Sequence, residues 1–229
     1  MARSAYQPPT RFSVFPPLIK NLLILNGLFF MALLTPPLGN ILFEWMALWP
    51  FGVSEAAARL GAFGAGQGLQ DMGSFWPWQL VSYSFLHGSM GHLFFNMFAL
   101  WMFGVQIENV WGSRRFAIYY FACVIGAGLI QMIVAYTTGS IAPTIGASGG
   151  VFGILLAFGM MFPDQPIYIY FLFPIKAKWL VIGYGVLELY AGVSGAQSGV
   201  ANFAHLGGMV FGFLLIQYWR GKLPWKPRR

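Results

Sequence analysis

The sequence TIGASGG at positions 144–150 leads directly into the apolar stretch VFGILLAFGMMF at positions 151–162. A polar residue beside a membrane-like segment is costly to bury and is therefore a candidate functional residue. Ser148 is such a residue, and His205 lies in a similar setting near the start of the apolar stretch at positions 201–216. We take Ser148 and His205 as a candidate nucleophile and its base.

Composition indicates a membrane protein. Apolar residues make up 58% of the 229 residues and charged residues only 8%, whereas soluble domains are about 25% charged. The net charge of +7 does not indicate a nucleic-acid partner, because the basic residues cluster beside apolar segments, as membrane topology signals do. We predict one all-α, multi-pass membrane domain.

Six apolar segments are candidate spans, although the fourth is shorter than the roughly 20 residues that a membrane helix needs. They cover residues 18–34, 88–107, 116–136, 148–162, 179–193 and 200–218. We predict a six-transmembrane-helix bundle at residues 18–219, between an N-terminal segment at 1–17 and a basic tail at 220–229. Residues 35–78 form a long connector, which we expect to lie in the membrane interface and to be anchored by aromatic side chains. These include Phe43, Trp45, Trp49, Phe51 and Trp76.

The basic residues predict the orientation of this bundle. Twelve of the 13 lysines and arginines fall on one side of a six-span arrangement, and only Arg59 falls on the other. Because basic loops stay in the cytoplasm, both termini are predicted to be cytoplasmic. The basic tail also predicts contact with lipid headgroups.

Four polar residues are predicted to share one layer in the outer half of the bundle. Ser148 begins the fourth segment, His205 lies near the start of the sixth, and His92 and Asn96 lie in the upper half of the second. His92 and Asn96 are four residues apart and therefore share a helix face. Small residues line facing stripes on the fourth and sixth segments, which allows close helix packing. These are Gly149, Gly153 and Ala157 on the fourth and Gly208 and Gly212 on the sixth.

This layer predicts hydrolytic chemistry. Ser148 needs a base, and the lysines nearest in sequence, Lys176 and Lys178, are predicted at the opposite face, so His205 remains. No aspartate lies in the outer half of a span, so we expect a Ser-His dyad rather than a triad. Oxyanion donors could come from Asn96, His92 and the backbone N–H of Ser148.

Other polar residues in the spans receive lesser interpretations. Glu108 is expected to stabilise the cytoplasmic end of the second span, and Glu188 and Gln131 have no assigned role. Ser148 alone could also be a helix N-cap, where serine is favoured.

These residues resemble the rhomboid family of intramembrane serine proteases over about residues 81–213. The resemblance rests on three blocks in order, namely His87 to Met97 with Gly104 to Phe116, Gly146-Ala147-Ser148-Gly149, and Ala204-His205 with Gly208 and Gly212. It implies a six-helix rhomboid bundle in which Ser148 is the nucleophile, His205 the base, and His92 and Asn96 the lining of the oxyanion hole.

The resemblance also implies the partners and location of the chain. Its substrates would be single-pass membrane proteins cut in or near their transmembrane segments, in the inner membrane of a bacterial cell, with no cofactor and no metal. Many bacterial members carry a tyrosine stacked on the histidine, four residues after the nucleophile, and here that position is Phe152.

Other functions leave different signatures. A non-catalytic rhomboid-like protein that binds membrane clients is the main alternative, although such relatives typically lack the serine or the histidine. A transporter would favour charged residues near the midplane or paired broken helices. A zinc protease would need His-Glu-x-x-His, which is absent. An aspartyl protease would need two intramembrane aspartates, whereas Asp71 and Asp164 fall in loops.

Overall fold

Helices dominate the computed structural model, which describes residues 12–52, 74–169, 172–195 and 201–222. Within these ranges the eight α-helices are α1 Pro17–Leu33, α2 Leu38–Met46, α3 Gln79–Ser82, α4 Met90–Trp111, α5 Ser113–Thr138, α6 Ser148–Met161, α7 Ala177–Ser194 and α8 Asn202–Trp219. A short 3₁₀ turn, Tyr83–Phe85, follows α3.

The six apolar segments are all helical, and their predicted ends lie within a few residues of α1 and of α4 through α8. By length and composition, α4 and α5 are able to cross a membrane, whereas α1 and α6 are apolar but shorter. The helical character of the bundle is therefore confirmed, and the number of spans stays a prediction.

A β-hairpin departs from the all-α prediction. Strand β1, Pro166–Ile169, pairs antiparallel with β2, Phe173–Lys176, in the connection between α6 and α7. Both strands contain β-branched or aromatic residues, which favour extended backbone. Each strand has only four residues, too few for a period to stand out in the sequence.

The helices define two opposite ends of the bundle. Helices α4, α6 and α8 begin at the end that carries His92, Ser148 and His205, which we call the Ser148 end. Helix α4 then runs from His92 to Glu108, roughly 24 Å at 1.5 Å per residue. We call the opposite end, where α4 finishes, the Glu108 end.

Glycines let α6 and α8 pack backbone against backbone. A Cβ atom on Gly208 would collide with the carbonyl oxygen of Gly149, and one on Gly153 would lie 3.2 Å from the carbonyl oxygen of Gly208. The predicted stripes thus meet at Gly208. Gly212 instead faces the side chain of Tyr119 on α5, so α5 packs against the α8 glycine stripe at this position.

Glu108 fastens α4 to α1. Its two carboxylate oxygens accept hydrogen bonds from the backbone N–H groups of Leu18 and Ile19, each at 2.9 Å. The hydroxyl of Ser113 donates a third, at 2.6 Å. A carboxylate is favourable at a helix N-terminus, where N–H groups lack partners. The sequence interpretation placed its effect on its own helix, whereas the structure shows that it caps α1.

The connector between α1 and α4 is held by one backbone bridge to the segment before α6 and by a hydrogen bond within the connector itself. Leu48 forms a two-bond antiparallel bridge with Thr144, at 3.0 and 2.9 Å. The buried side chain of Gln79 accepts from the backbone N–H of Trp49, at 3.3 Å. The exposed rings of Trp45, Trp76 and Trp78 stack on one another. Their interfacial position stays a prediction, and the glycine-rich stretch 61–73 lies outside the described residues.

Candidate active site

Ser148 and His205 meet at the Ser148 end of the bundle. The Oγ atom of Ser148 lies 2.8 Å from Nε2 of His205, a hydrogen-bond distance between a hydroxyl and an imidazole. Ser148 is the first residue of α6, and the residue in the N-cap position is Ala147. The hydroxyl is thus directed at the histidine, and it does not serve as the N-cap of its own helix.

Backbone contacts set the position of Ser148. The bridge between Leu48 and Thr144 holds the segment that precedes α6, and the N–H of Gly146 donates to the carbonyl oxygen of Tyr83 at 3.0 Å. Gly146 adopts φ +124°, and a Cβ atom there would lie 2.7 Å from Nε2 of His92. Glycine is therefore required for both the conformation and the space.

The ring of His205 is held on one face by Phe152. The two ring centroids are 4.4 Å apart and the planes differ by 4°, a stacked arrangement that restricts rotation of the imidazole. Phe152 lies one helical turn after Ser148, so α6 supplies both the hydroxyl and the stacking ring. Phe152 also contacts the edge of Tyr184 on α7, at 6.1 Å between centroids.

A cavity opens onto the two residues. Its volume is about 690 Å³, enough for water and for part of a peptide chain. Besides Ser148 and His205, its lining includes His92, Asn96, Gln131 and Phe152. Such a cavity gives water access to a serine within an otherwise apolar bundle.

Asn96 and His92 both line this cavity, as their spacing predicts. The Nδ2 atom of Asn96 donates to the backbone carbonyl of His92 at 3.0 Å, and the amide has a second hydrogen for another acceptor. A Cβ atom on Gly146 would lie 2.7 Å from Nε2 of His92 and 3.7 Å from Oγ of Ser148. The imidazole and the hydroxyl thus border the same space.

His87 lies behind His92, just before α4. Their ring centroids are 4.8 Å apart in an edge-to-face arrangement. Burial and, to a smaller extent, the neighbouring His92 lower the pKa of His87 to about 4. His87 is therefore neutral at physiological pH and supports His92 as an uncharged neighbour.

Comparison with known proteins identifies the bundle. A family model described as the Rhomboid domain matches residues 75–221, which include all four predicted site residues. The chain belongs to the rhomboid family.

Curated relatives include proteins from bacteria and from mitochondria. The chain is 33% identical over 162 residues to "Rhomboid protease GluP" of Bacillus subtilis, covering 71% of this chain and 30% of that protein. It is 33% identical to "RHOMBOID-like protein 4" of Arabidopsis thaliana, covering 60% and 33%. It is 32% identical to the human "Presenilin-associated rhomboid-like protein, mitochondrial", covering 63% and 38%. The chain thus spans about a third of the length of these relatives.

A rhomboid bundle with these four residues gathered at one cavity matches the arrangement predicted from spacing, while their chemical roles remain proposals.

One residue beside the site was not predicted from the sequence. Glu188 on α7, which had no assigned role, lies with Oε2 2.9 Å from Nδ1 of His205. The signal was present in the sequence, because Glu188 is the sole acidic residue in a largely apolar helix. The expectation of a dyad rested on the absence of a suitably placed aspartate, which leaves glutamate open.

Proposed function

We propose that this rhomboid is an intramembrane serine protease, with Ser148 as the nucleophile and His205 as the base. The observation that carries the proposal is the 2.8 Å separation of Oγ and Nε2 beside a cavity in an apolar bundle. The similarity to a protein named as a rhomboid protease supports the same activity.

The proposed mechanism follows from the positions of these groups. His205 Nε2 takes the proton of Ser148 as Oγ bonds to the scissile carbonyl carbon. Asn96, His92 and the N–H at the start of α6 donate to the oxyanion that forms. The C–N bond then breaks, and the proton on Nε2 passes to the leaving amine. Water hydrolyses the resulting ester by the same base, and no cofactor takes part.

The setting of this chemistry is also proposed. The bundle would have six spans, with both termini in the cytoplasm of a bacterial cell and the protein in its inner membrane. The substrates would be single-pass membrane proteins, cut near the outer face where Ser148 begins its helix. Lipids would contact the exposed apolar faces.

The test is cleavage of a model single-pass substrate by the purified protein in liposomes. Ser148→Ala and His205→Ala should each lower kcat by at least about 10³-fold, as loss of a nucleophile or base does. Gly27→Ala is the matched control, because a Cβ atom at Gly27 meets no atom within 4 Å.

Cleavage that persists in Ser148→Ala would overturn the proposed nucleophile. A wild type that binds the substrate without cutting any of several sequences would favour a client-binding protein instead. Both results are read on protein whose thermal unfolding matches that of the wild type.

A further inference from the structure

Glu188 reaches His205 from the side opposite Ser148. It extends from α7 toward the first turn of α8, and its side chain is 13% exposed beside an imidazole that is 11% exposed. An ionised carboxylate in an apolar helix is expensive unless it has partners. Its position behind the imidazole therefore calls for an explanation beyond packing.

Asn202 holds the carboxylate in this position. Its Nδ2 atom donates to Oε2 of Glu188 at 2.7 Å, and Asn202 itself is buried in the first turn of α8. Asn202 and His205 are three residues apart and share a helix face. The same oxygen of Glu188 thus meets both side chains, so the carboxylate bridges α7 to the start of α8.

The carboxylate of Glu188 lies beside Nδ1 of His205, which is the ring nitrogen that does not contact the hydroxyl of Ser148. Nδ1 lies 2.9 Å from Oε2, although the ring N–H is not aligned along this line as it would be in a full hydrogen bond. A base that accepts a proton at Nε2 must carry its own hydrogen at Nδ1. A carboxylate beside Nδ1 favours this tautomer and stabilises the imidazolium that forms.

We propose that Glu188 is a positioning residue for His205, held by Asn202, so that the site works as a Ser148–His205–Glu188 triad. This inference rests on the proposed protease function. Phe152 restrains the plane of the imidazole, and Glu188 selects its tautomer and turns Nε2 toward Ser148. Protons move only among Oγ, Nε2, the leaving amine and the attacking water, so Glu188 stays ionised throughout.

The experiment compares two isosteric losses of charge, Glu188→Gln and Glu108→Gln, by kcat, KM and thermal unfolding in liposomes. Glu188→Gln should lower kcat by about 10- to 100-fold, less than the roughly 10⁴-fold loss known for an aligned triad, because the present contact is not aligned. KM should stay within about two-fold, since substrate binding is untouched. Glu108→Gln should lower Tm and leave kcat unchanged.

Two further measurements separate positioning from packing. Glu188→Asp keeps the charge and should recover part of the lost kcat. The rate at which a fluorophosphonate labels Ser148 should fall in Glu188→Gln in parallel with kcat, because both report activation of the hydroxyl.

The outcomes distinguish this inference from the function on which it rests. A Glu188→Gln variant with kcat within about two-fold of wild type overturns the triad and leaves the Ser148-dependent protease intact. A loss of kcat that follows the loss of folded protein, without recovery in Glu188→Asp, assigns packing alone and also overturns it. A wild type that neither cleaves nor labels at Ser148 overturns the protease and the triad together.

Discussion

Glu108 and Glu188 each lie in a largely apolar helix of the bundle, α4 and α7, and the surroundings of their carboxylates differ. At the Glu108 end, the carboxylate of Glu108 is 2% exposed and accepts from two backbone N–H groups and one hydroxyl. At the Ser148 end, Glu188 accepts from Asn202 and lies against an imidazole that is not aligned with it.

The difference in their partners distinguishes a carboxylate with a structural role from one that can take part in chemistry. A carboxylate whose oxygens accept hydrogen bonds from fixed N–H and O–H donors joins structural elements, because none of these donors changes its charge. A carboxylate that faces a titratable ring can instead respond when the charge of that ring changes. The comparison predicts that damage at the Ser148 end lowers kcat and that damage at the Glu108 end lowers stability.

Among changes outside the proposed catalytic groups, the largest effect is expected from Gly208→Ala, which crowds the contact between α6 and α8 at the Ser148 end and removes no polar group. The new Cβ atom meets the backbone carbonyl of Gly149, which cannot move aside as a side chain would. Overpacking of this kind costs about 1–3 kcal/mol, and the separation of α6 from α8 should lower kcat by about 100-fold, since misplacement by 1 Å can cost that much.

The measurement is substrate cleavage together with thermal unfolding, with Gly27→Ala as the control for the substitution itself. If Gly208→Ala retains wild-type kcat, close packing of α6 on α8 does not set the distance between Ser148 and His205.

A smaller effect is expected from Phe152→Leu, which removes the stacked ring and keeps an apolar side chain. The stack contributes about 0.5–1.5 kcal/mol beyond area burial, so kcat should fall by up to about tenfold. Phe152→Tyr keeps the ring and supplies the residue of many bacterial rhomboids, and it should retain activity. Equal losses in both variants would contradict a role for the ring, as would no loss in either.

The helices and the gathering of the site were predictable because each depends on local pattern. The apolar segments mark α1 and α4 through α8, and helical spacing puts His92 above Asn96 on one face. Close approach of Gly149 and Gly208 follows from the small side chains.

The remaining contacts depend on distances between helices that no spacing rule supplies. Whether Glu188 faces lipid or His205 depends on the rotation of α7, which the surrounding helices set. Glu108 likewise caps α1, which is about 90 residues away in sequence. The two-bond bridge from Leu48 to Thr144 was invisible for the same reason, since neither residue lies in a periodic segment.

Asp164 offers a third carboxylate that sharpens the comparison, with the smallest expected effect. It follows α6, is 65% exposed, and pairs with Lys178 at 2.9 Å and Lys176 at 3.2 Å. The hydrogen bond from Lys178, then that from Lys176, lowers the pKa of Asp164 below 3.8. A carboxyl group with a lowered folded-state pKa stabilises the fold above its unfolded pKa, and this contribution disappears as pH falls through the folded value.

Asp164→Asn should therefore lower Tm by about 1 °C or less at neutral pH, because exposed pairs contribute little. The difference from wild type should vanish once the pH is below the folded-state pKa, and high salt should reduce it at neutral pH by screening. A Tm difference that survives at that low pH would mean that Asp164 acts through packing. A loss of kcat at neutral pH would link this exposed loop to the Ser148 end, against the separation that Glu108 and Glu188 indicate.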